Sequence, residues 1–256
     1  MKAFKYLSPT TVEEAIAFHG QHSETAKYMG GGTDVIVKVK EGWMEPDFLI
    51  SLKKIKEMSE LHKNAATGEL SIGTIGGNLI NAVPSADGAI PLIALDGVAL
   101  LHGPEGERSV AVKDLFVSPY KTILKPMEIL KKITIPPQAP HTGSAYIKFG
   151  RRAAMELPLI GIGILLSLDE IQGICTKARI CLGVAAPTPM RAFDAEKLLK
   201  GKKIGEALLI EAGKIAADES KVRDSVRGKA WHRKEMIRVH VKRMGIKCLE
   251  LINAGH

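Results

Sequence analysis

A short strand-forming segment runs directly into three glycines at Ala26-Lys27-Tyr28-Met29-Gly30-Gly31-Gly32-Thr33-Asp34. Without side chains, the backbone N–H groups of such a loop can closely approach an anion. A second strand, Leu70-Ser71-Ile72-Gly73, leads into another glycine cluster, Thr74-Ile75-Gly76-Gly77-Asn78. Either loop alone could be a tight turn without a ligand. Two such loops in one domain suit a ligand with two linked phosphates, such as a dinucleotide or a flavin dinucleotide.

Neither glycine loop carries a standard nucleotide-binding motif. Residues 30–34 lack the third glycine of the Rossmann fingerprint, and neither cluster ends in the Gly-Lys-Ser/Thr of a P-loop. We therefore expect neither a standard dinucleotide fold nor a kinase-type nucleotide site.

The segments around the first loop predict a β–α–β opening. Phe4-Lys5-Tyr6-Leu7 is typical of a strand, and Thr10-Thr11-Val12-Glu13 places a Thr and a Glu three residues apart, as a helix capping box requires. Val35-Ile36-Val37 is a short apolar stretch, and Phe48-Leu49-Ile50-Ser51-Leu52 is a further strand. This order of elements implies parallel strand pairing.

The rest of the chain divides at a proline-rich segment between Pro136 and Gly143. Its prolines and glycine interrupt both helices and strands, so we predict one domain over residues 1–138 and a second over 144–256. Before it, residues 98–137 are strand-rich, with a hairpin turn at Pro104-Glu105-Gly106-Glu107 and a short buried helix upstream at 89–96. After it, strands lead to three helices, the last running from Lys229 towards Ile252.

Composition indicates an ordinary soluble globular protein. Of 256 residues, 45% are hydrophobic and 25% charged, and no apolar run reaches the roughly 18 residues of a membrane span. The first residues carry no apolar signal core, so we expect a cytoplasmic protein. The three cysteines, Cys175, Cys181 and Cys248, form no Cys-x-x-Cys pair, which predicts neither a disulfide framework nor a metal site in this chain.

Positive charge is concentrated near the C-terminus. Residues 141–256 carry 21 Lys and Arg against 12 Asp and Glu, and ten of these basic residues lie between Lys221 and Lys247. The only aromatic residue in that stretch is Trp231, whereas single-strand binders interleave basic and aromatic residues. We interpret the stretch as a solvated helix face or a docking surface for an acidic partner, and expect no nucleic acid partner.

Several motifs together resemble the FAD-binding medium subunit of molybdenum hydroxylases, the family of the carbon monoxide dehydrogenase medium subunit and the xanthine dehydrogenase FAD-binding subunit. The second glycine loop is followed by a motif of Asn81, Pro84 and Asp87. The further motifs are Lys125-Pro126-Met127-Glu128-Ile129-Leu130, Lys148-Phe149-Gly150-Arg151-Arg152, Leu182-Gly183-Val184-Ala185-Ala186-Pro187-Thr188-Pro189-Met190-Arg191-Ala192, Val226-Arg227-Gly228 and Arg233-Lys234-Glu235-Met236. The resemblance implies an α+β fold. Its first part is a vanillyl-alcohol-oxidase-type (PCMH-like) FAD-binding domain, and its second is a smaller α/β domain of the CO dehydrogenase flavoprotein type.

The resemblance also implies which residues bind FAD. The first pyrophosphate loop consists of Tyr28, Met29, Gly30, Gly31, Gly32, Thr33, Asp34 and Val35, and the second of Thr74, Ile75, Gly76, Gly77 and Asn78. Asp87 is a polar contact to the cofactor, and Leu130 and Lys148 lie near the flavin. Each has a structural alternative. Asp34 could cap its own turn, Asp87 could cap the following helix, Leu130 could be strand core, and Lys148 could be a solvated strand residue.

In function, the resemblance implies an electron-transfer subunit of an oxidoreductase. A molybdopterin-binding large subunit oxidises the substrate, and a [2Fe-2S] small subunit passes electrons through FAD to NAD, a quinone or another acceptor. We therefore expect a hetero-oligomer, with no catalytic acid, base, nucleophile or metal ligand in this chain. The alternatives are a stand-alone flavin oxidase and an FAD-free scaffold or nucleic-acid-binding relative.

The chain departs from the family at one point. Between the strand ending at Gly73 and the second glycine loop, the family has a further helical stretch that packs beside the flavin ring, and here Gly73 joins Thr74 directly. This departure predicts a flavin that is more exposed than in the family, or less firmly held.

Overall fold

The computed structural model describes residues 2–22, 24–72, 75–152, 156–170 and 172–255. Gly73 and Thr74 therefore lie outside the described residues, and the FAD contact implied for Thr74 stays a prediction. Within the described ranges the chain mixes sheets and helices, which confirms the α+β class.

The opening of the chain is a three-stranded parallel sheet with order β1-β3-β2. Its elements are β1 Lys5–Leu7, α1 Val12–Gln21, β2 Ala26–Met29, α2 Thr33–Lys40 and β3 Phe48–Ser51. The predicted β–α–β opening is confirmed. The capping pair lies one residue later than predicted, because the Glu14 N–H donates to the Thr11 hydroxyl at 3.1 Å. The apolar stretch at 35–37 lies inside helix α2, which begins directly after the first glycine loop.

A five-stranded antiparallel sheet follows, with order β4-β5-β10-β6-β7. The elements of this part are β4 Leu61–Lys63, β5 Leu70–Ile72, α3 Gly76–Ile80, α4 Ala89–Ala94, β6 Val98–Gly103, β7 Gly106–Ala111, a small hairpin of β8 Phe116–Ser118 and β9 Lys121–Thr122, and β10 Ile129–Ile135. The predicted hairpin turn is confirmed, because Gly103 pairs with Gly106. The predicted helix over 89–96 is confirmed as α4.

The C-terminal part is a four-stranded antiparallel sheet covered by three helices. Its elements are β11 Thr142–Phe149, β12 Ile160–Leu168, β13 Cys175–Gly183, β14 Met190–Arg191, α5 Phe193–Leu199, α6 Glu206–Glu219 and α7 Ala230–Asn253. Strand β11 already begins at Thr142, because residues 142–149 pair in full register with β12, so the irregular segment is shorter than predicted. Helix α7 buries an apolar stripe that includes Ile237, Val241 and Cys248. Among the described helices, none is long and apolar enough to cross a membrane.

Helix α4 joins the two large sheets, and glycines make the junction possible. An added Cβ would lie 3.1 Å from Ile90 Cγ2 at Gly163 and 2.8 Å from Ile90 Cγ1 at Gly183. The glycines therefore leave room for Ile90, which is almost fully buried against β12 and β13. The segment just before α4, residues 84–88, is thereby held against the four-stranded C-terminal sheet.

One residue of the basic C-terminal stretch departs from the predicted solvated face. Arg233, in the first turn of α7, is only 2% exposed, whereas Lys234 and Lys242 have side chains that are 40% and 33% exposed. The basic stretch is therefore a surface feature only in part.

Candidate cofactor site

The first glycine loop faces open space. A Cβ built on Gly30 or Gly31 would have no other atom within 4 Å. Gly32 has a φ of +83°, a left-handed conformation that residues with a Cβ rarely adopt. The left-handed conformation at Gly32 therefore favours glycine, and the space beside Gly30 and Gly31 is open to a ligand.

Helix α2 begins at this loop with unpaired N–H groups. Its N-terminal cap is Gly32, which has no side chain to accept a hydrogen bond, and the first backbone bond runs from the Ile36 N–H to the Gly32 carbonyl at 2.9 Å. The N–H groups of residues 33–35 have no backbone acceptor among the described residues. Free N–H groups and the positive end of the helix dipole form a natural site for a phosphate. Asp34 is exposed in the first turn of α2, next to these N–H groups.

The second glycine loop forms helix α3 and packs against strand β10. Gly76 is buried, and a Cβ there would lie 3.4 Å from both the side chain and the carbonyl oxygen of Leu130. Gly77 is exposed, and a Cβ there would have nothing within 4 Å. Leu130 is fully buried, so its side chain is core and only its backbone can face a ligand.

The structure brings the two loops together. Lys38 Nζ, on the helix that follows the first loop, donates to Asn81 Oδ1, directly after α3, at 3.3 Å. The Tyr28 hydroxyl, just before the first loop, donates to the Met127 carbonyl at 3.1 Å. Burial raises the pKa of the Tyr28 phenol far above its ordinary value, so it remains a neutral donor. The loops are thus neighbours on one side of the first domain.

Asp87 and Lys148 form an ion pair that joins this region to strand β11 of the four-stranded sheet. The distance from Lys148 Nζ to Asp87 Oδ2 is 2.6 Å, and both side chains are partly exposed. Helix α4 is capped at Gly88 without any side-chain hydrogen bond, so the alternative that Asp87 caps it is wrong. Lys148 is paired, so it is more than a solvated strand residue.

Tyr146 lies beside this ion pair. It is two residues before Lys148 on β11, so both side chains are on one face of the sheet. Burial, with a smaller contribution from the Asp87 carboxylate, raises the pKa of Tyr146 to about 12. The region thus offers a neutral hydroxyl, a carboxylate and an ammonium group close together.

Two buried oxygen atoms near α4 have no hydrogen-bond partner among the described residues. They are the hydroxyl of Ser85, a residue only 5% exposed, and Oδ1 of Asp87. Buried polar atoms are nearly always hydrogen-bonded in native proteins. These two atoms, and the Cβ-free space at the glycines, fit a polar cofactor that lies across the loops.

The structure places most of the predicted residues in one region, together with some that sequence reasoning did not name. The two glycine loops lie near each other. Leu130 adjoins the second loop through Gly76, and Asp87 adjoins it through Gly88, whose N–H donates to Asn78 Oδ1 at 3.1 Å. Lys38, Ser85 and Tyr146 were not predicted. Ser85 could have been noticed, since it lies between Pro84 and Asp87 in a recognised motif, whereas Tyr146 carries no motif signal.

The chemistry available in this region is that of binding. Within the described ranges, no group of three or more His, Cys, Asp or Glu residues could hold a metal ion. Arg151 is largely exposed and pairs with Glu156 at 3.2 Å. The arrangement supports anion binding by N–H groups and orientation of a polar ring system by Asp87, Tyr146 and Lys148.

Comparison with known proteins identifies two family models along the chain. The FAD binding domain in molybdopterin dehydrogenase matches residues 2–73 and 70–138, and the CO dehydrogenase flavoprotein C-terminal domain matches residues 144–247. The first match falls in two pieces that meet at residues 70–73, the point at which the resemblance predicts that a helical stretch of the family is missing.

Individual relatives agree with these models. The nicotinate dehydrogenase FAD-subunit of Eubacterium barkeri is 26% identical over 298 aligned positions that cover 100% of this chain and 99% of the relative. The xanthine dehydrogenase FAD-binding subunit of Escherichia coli O157:H7 is 33% identical over 67% of this chain and 56% of the relative. The solved carbon monoxide dehydrogenase of Hydrogenophaga pseudoflava superposes with a TM-score of 0.88 at 26% identity, over 96% of both chains.

Proposed function

Because this chain belongs to the family of FAD-binding flavoprotein subunits of molybdopterin dehydrogenases, we propose that it passes electrons from iron–sulfur clusters, through FAD, to a further acceptor. The observation that carries the proposal is the pair of adjacent glycine loops, one of which opens a helix with unpaired N–H groups. We assign FAD binding to residues 1–138 and a supporting flavoprotein domain to residues 144–256.

The pyrophosphate of FAD would be held at the two loops. The N–H groups of residues 33–35 have no backbone acceptor in the part of the chain that the structure describes, and Gly30, Gly31 and Gly77 leave the backbone accessible. Each N–H to phosphate hydrogen bond is charge-assisted and is therefore stronger than a neutral one. The requirement for two phosphate positions predicts a preference for FAD over FMN.

The polar groups near α4 would orient the rest of the cofactor. Asp87 Oδ1 and the Ser85 hydroxyl have no hydrogen-bond partner among the described residues. The carboxylate oxygen could accept a hydrogen bond from a cofactor hydroxyl or ring N–H, and the Ser85 hydroxyl could donate or accept one. Lys148 supplies a positive charge, and Tyr146 supplies a neutral hydroxyl. When bound, FAD supplies the redox chemistry, since it takes up electrons singly and releases them as a pair.

The electron donor and the acceptor lie outside this chain in our proposal. Relatives are named as the FAD-subunit of nicotinate dehydrogenase and as medium chains of carbon monoxide dehydrogenase, and such names support a hetero-oligomer. We propose that a [2Fe-2S] small subunit supplies the electrons, that a molybdopterin-binding large subunit oxidises the substrate, and that NAD, a quinone or another acceptor receives them.

Flavin content of the purified chain tests the proposal first. We expect FAD to be bound, or to be taken up on titration, with a Kd at least tenfold lower than that for FMN. The isolated chain should reduce artificial dyes with NADH but should not oxidise xanthine, aldehydes, nicotinate or carbon monoxide. Addition of the other two subunits should enable turnover of one such substrate.

Two outcomes would contradict this assignment. Absence of FAD binding by the folded chain would favour an FAD-free scaffold. Oxidation of a carbon substrate by the isolated chain would favour a stand-alone flavin oxidase. We also expect the reduced flavoprotein to react quickly with oxygen, because without the helical stretch less protein covers the flavin ring.

A further inference from the structure

Arg233 is a buried cation without a carboxylate partner among the described residues. Its guanidinium donates from Nη1 to the carbonyl oxygens of Leu159 at 2.7 Å and Val184 at 3.3 Å, and from Nη2 to the Ser225 hydroxyl at 2.8 Å. Burial, with repulsion from Arg227 and Arg223, lowers its pKa. Burying an unpaired charge is unfavourable, so the position of this arginine calls for a role beyond the packing of α7.

One of the carbonyls that Arg233 holds belongs to a strained residue. Val184 has a φ of +61°, a left-handed conformation that is rare for a β-branched side chain and persists only where its surroundings fix it. Arg233 fixes it from the carbonyl side. On the other side, the Val184 N–H donates to the Pro84 carbonyl at 3.1 Å.

Pro84 is the first residue of the segment that carries the unpartnered oxygens of the cofactor site. Ser85 follows it directly, and Asp87 comes two residues later. The contacts Arg233–Val184 and Val184–Pro84 therefore connect the first turn of α7 to this segment. The connection crosses from the second domain to the first, and none of its residues needs to touch the cofactor.

We propose that Arg233 is a positioning residue for the flavin. By holding the Val184 carbonyl, it keeps the Val184 N–H directed at Pro84, and thereby sets Ser85 and Asp87 for contact with FAD. This inference rests on the proposed function, because it requires FAD in the site.

The test compares FAD affinity and the visible circular dichroism of bound flavin in the full chain. In Arg233→Met, we expect FAD affinity to fall about tenfold or more, as for loss of a hydrogen bond to a charged group, with an altered flavin spectrum. Arg233→Lys keeps one cationic donor and should restore most of the affinity. The matched control is Arg238→Met on the same helix, since the Arg238 side chain is exposed and pairs with Glu235 at 3.4 Å on the surface.

A second variant separates positioning from stability. In Val184→Gly the left-handed conformation is no longer strained, so the turn can persist without the arginine. We expect Val184→Gly to restore FAD affinity and the flavin spectrum in the Arg233→Met background. If Arg233→Met does not fold, Arg233→Gln, which removes the charge but keeps a neutral donor, is compared with and without Val184→Gly in the same way.

The outcomes distinguish this inference from the proposed function. If wild-type protein binds FAD and Arg233→Met, although less stable, binds it with unchanged affinity and spectrum, the arginine is structural only and the inference is wrong. Failure of Val184→Gly to restore affinity would also overturn it. If folded wild-type protein binds no FAD, the proposed function fails and the inference fails with it.

Discussion

Gly77→Ala should separate the stability of the protein from its affinity for FAD. Gly77 is exposed in helix α3, and a Cβ there would meet no other atom within 4 Å. Ala favours a helix over Gly by up to about 1 kcal/mol, so the free energy of unfolding of the apoprotein should stay the same or rise slightly. The new methyl group would nevertheless occupy the open space in front of the second loop.

We expect this variant to bind FAD more weakly by a factor of about 10 to 100. A methyl group that pushes a phosphate away from the backbone removes at least one charge-assisted hydrogen bond, worth about 1.5 to 3 kcal/mol, and each 1.4 kcal/mol is about tenfold in Kd. Gly76→Ala is less informative, because its Cβ would meet Leu130 at 3.4 Å and disturb the fold as well.

The assay is a titration of apoprotein with FAD, followed by flavin fluorescence, beside thermal unfolding of the same preparations. The matched control is Gly205→Ala, since Gly205 also has open space at its Cβ, has a φ of −132° that Ala adopts freely, and precedes helix α6 in the second domain. Wild-type FAD affinity in Gly77→Ala would show that the second loop does not contact the cofactor.

Three further predictions follow from individual contacts. Asp87→Asn should change the free energy of unfolding by less than about 1 kcal/mol, because the ion pair with Lys148 is exposed, yet lower FAD affinity severalfold in the same titration; an unchanged affinity would remove Asp87 from the site. The Arg108 guanidinium holds the pKa of Glu128 below its ordinary value near 4.5, so this pair should stabilise the fold above that pH and cease to do so as pH falls through the lowered pKa; acid unfolding of Glu128→Gln should lack that part of the pH dependence, and identical acid curves would contradict it. Burial raises the pKa of Cys175 to about 11 and of Cys248 to about 12, so neither thiol should react with Ellman's reagent at pH 7 until the protein unfolds; fast labelling of the native protein would refute their burial.

Local features of the site could be predicted from the sequence, and contacts between distant residues could not. The glycine loops and the flanking strands are local patterns, and they form as predicted in the described residues. The Asp87–Lys148 pair joins residues that are 61 positions apart, so no spacing rule indicates it. The family resemblance implied a role near FAD for each of the two residues, but it did not imply that they form an ion pair.

Sequence reasoning assigned one residue the environment that its residue type most often has, and it assigned no structure to one apolar stretch. An arginine in a basic helix is usually solvated, but Arg233 is buried because backbone carbonyls at Leu159 and Val184 surround its guanidinium. The apolar stretch at 35–37 gave no strand or helix signal by itself. It becomes helical because the glycine loop before it turns the chain and starts α2.

The junction between the domains explains how the second glycine loop can keep its place although the family's adjoining helical stretch is absent. Ile90 is seated over the glycines of β12 and β13, Asp87 is paired with Lys148, and the Gly88 N–H is bonded to Asn78. All these contacts involve residues after 75, so a direct connection from β5 to the loop leaves them intact. In our proposal the second domain therefore contributes to the cofactor site, because it holds from one side the segment that carries Ser85 and Asp87, and we expect flavin binding to be coupled to the packing of the five-stranded sheet against the four-stranded sheet.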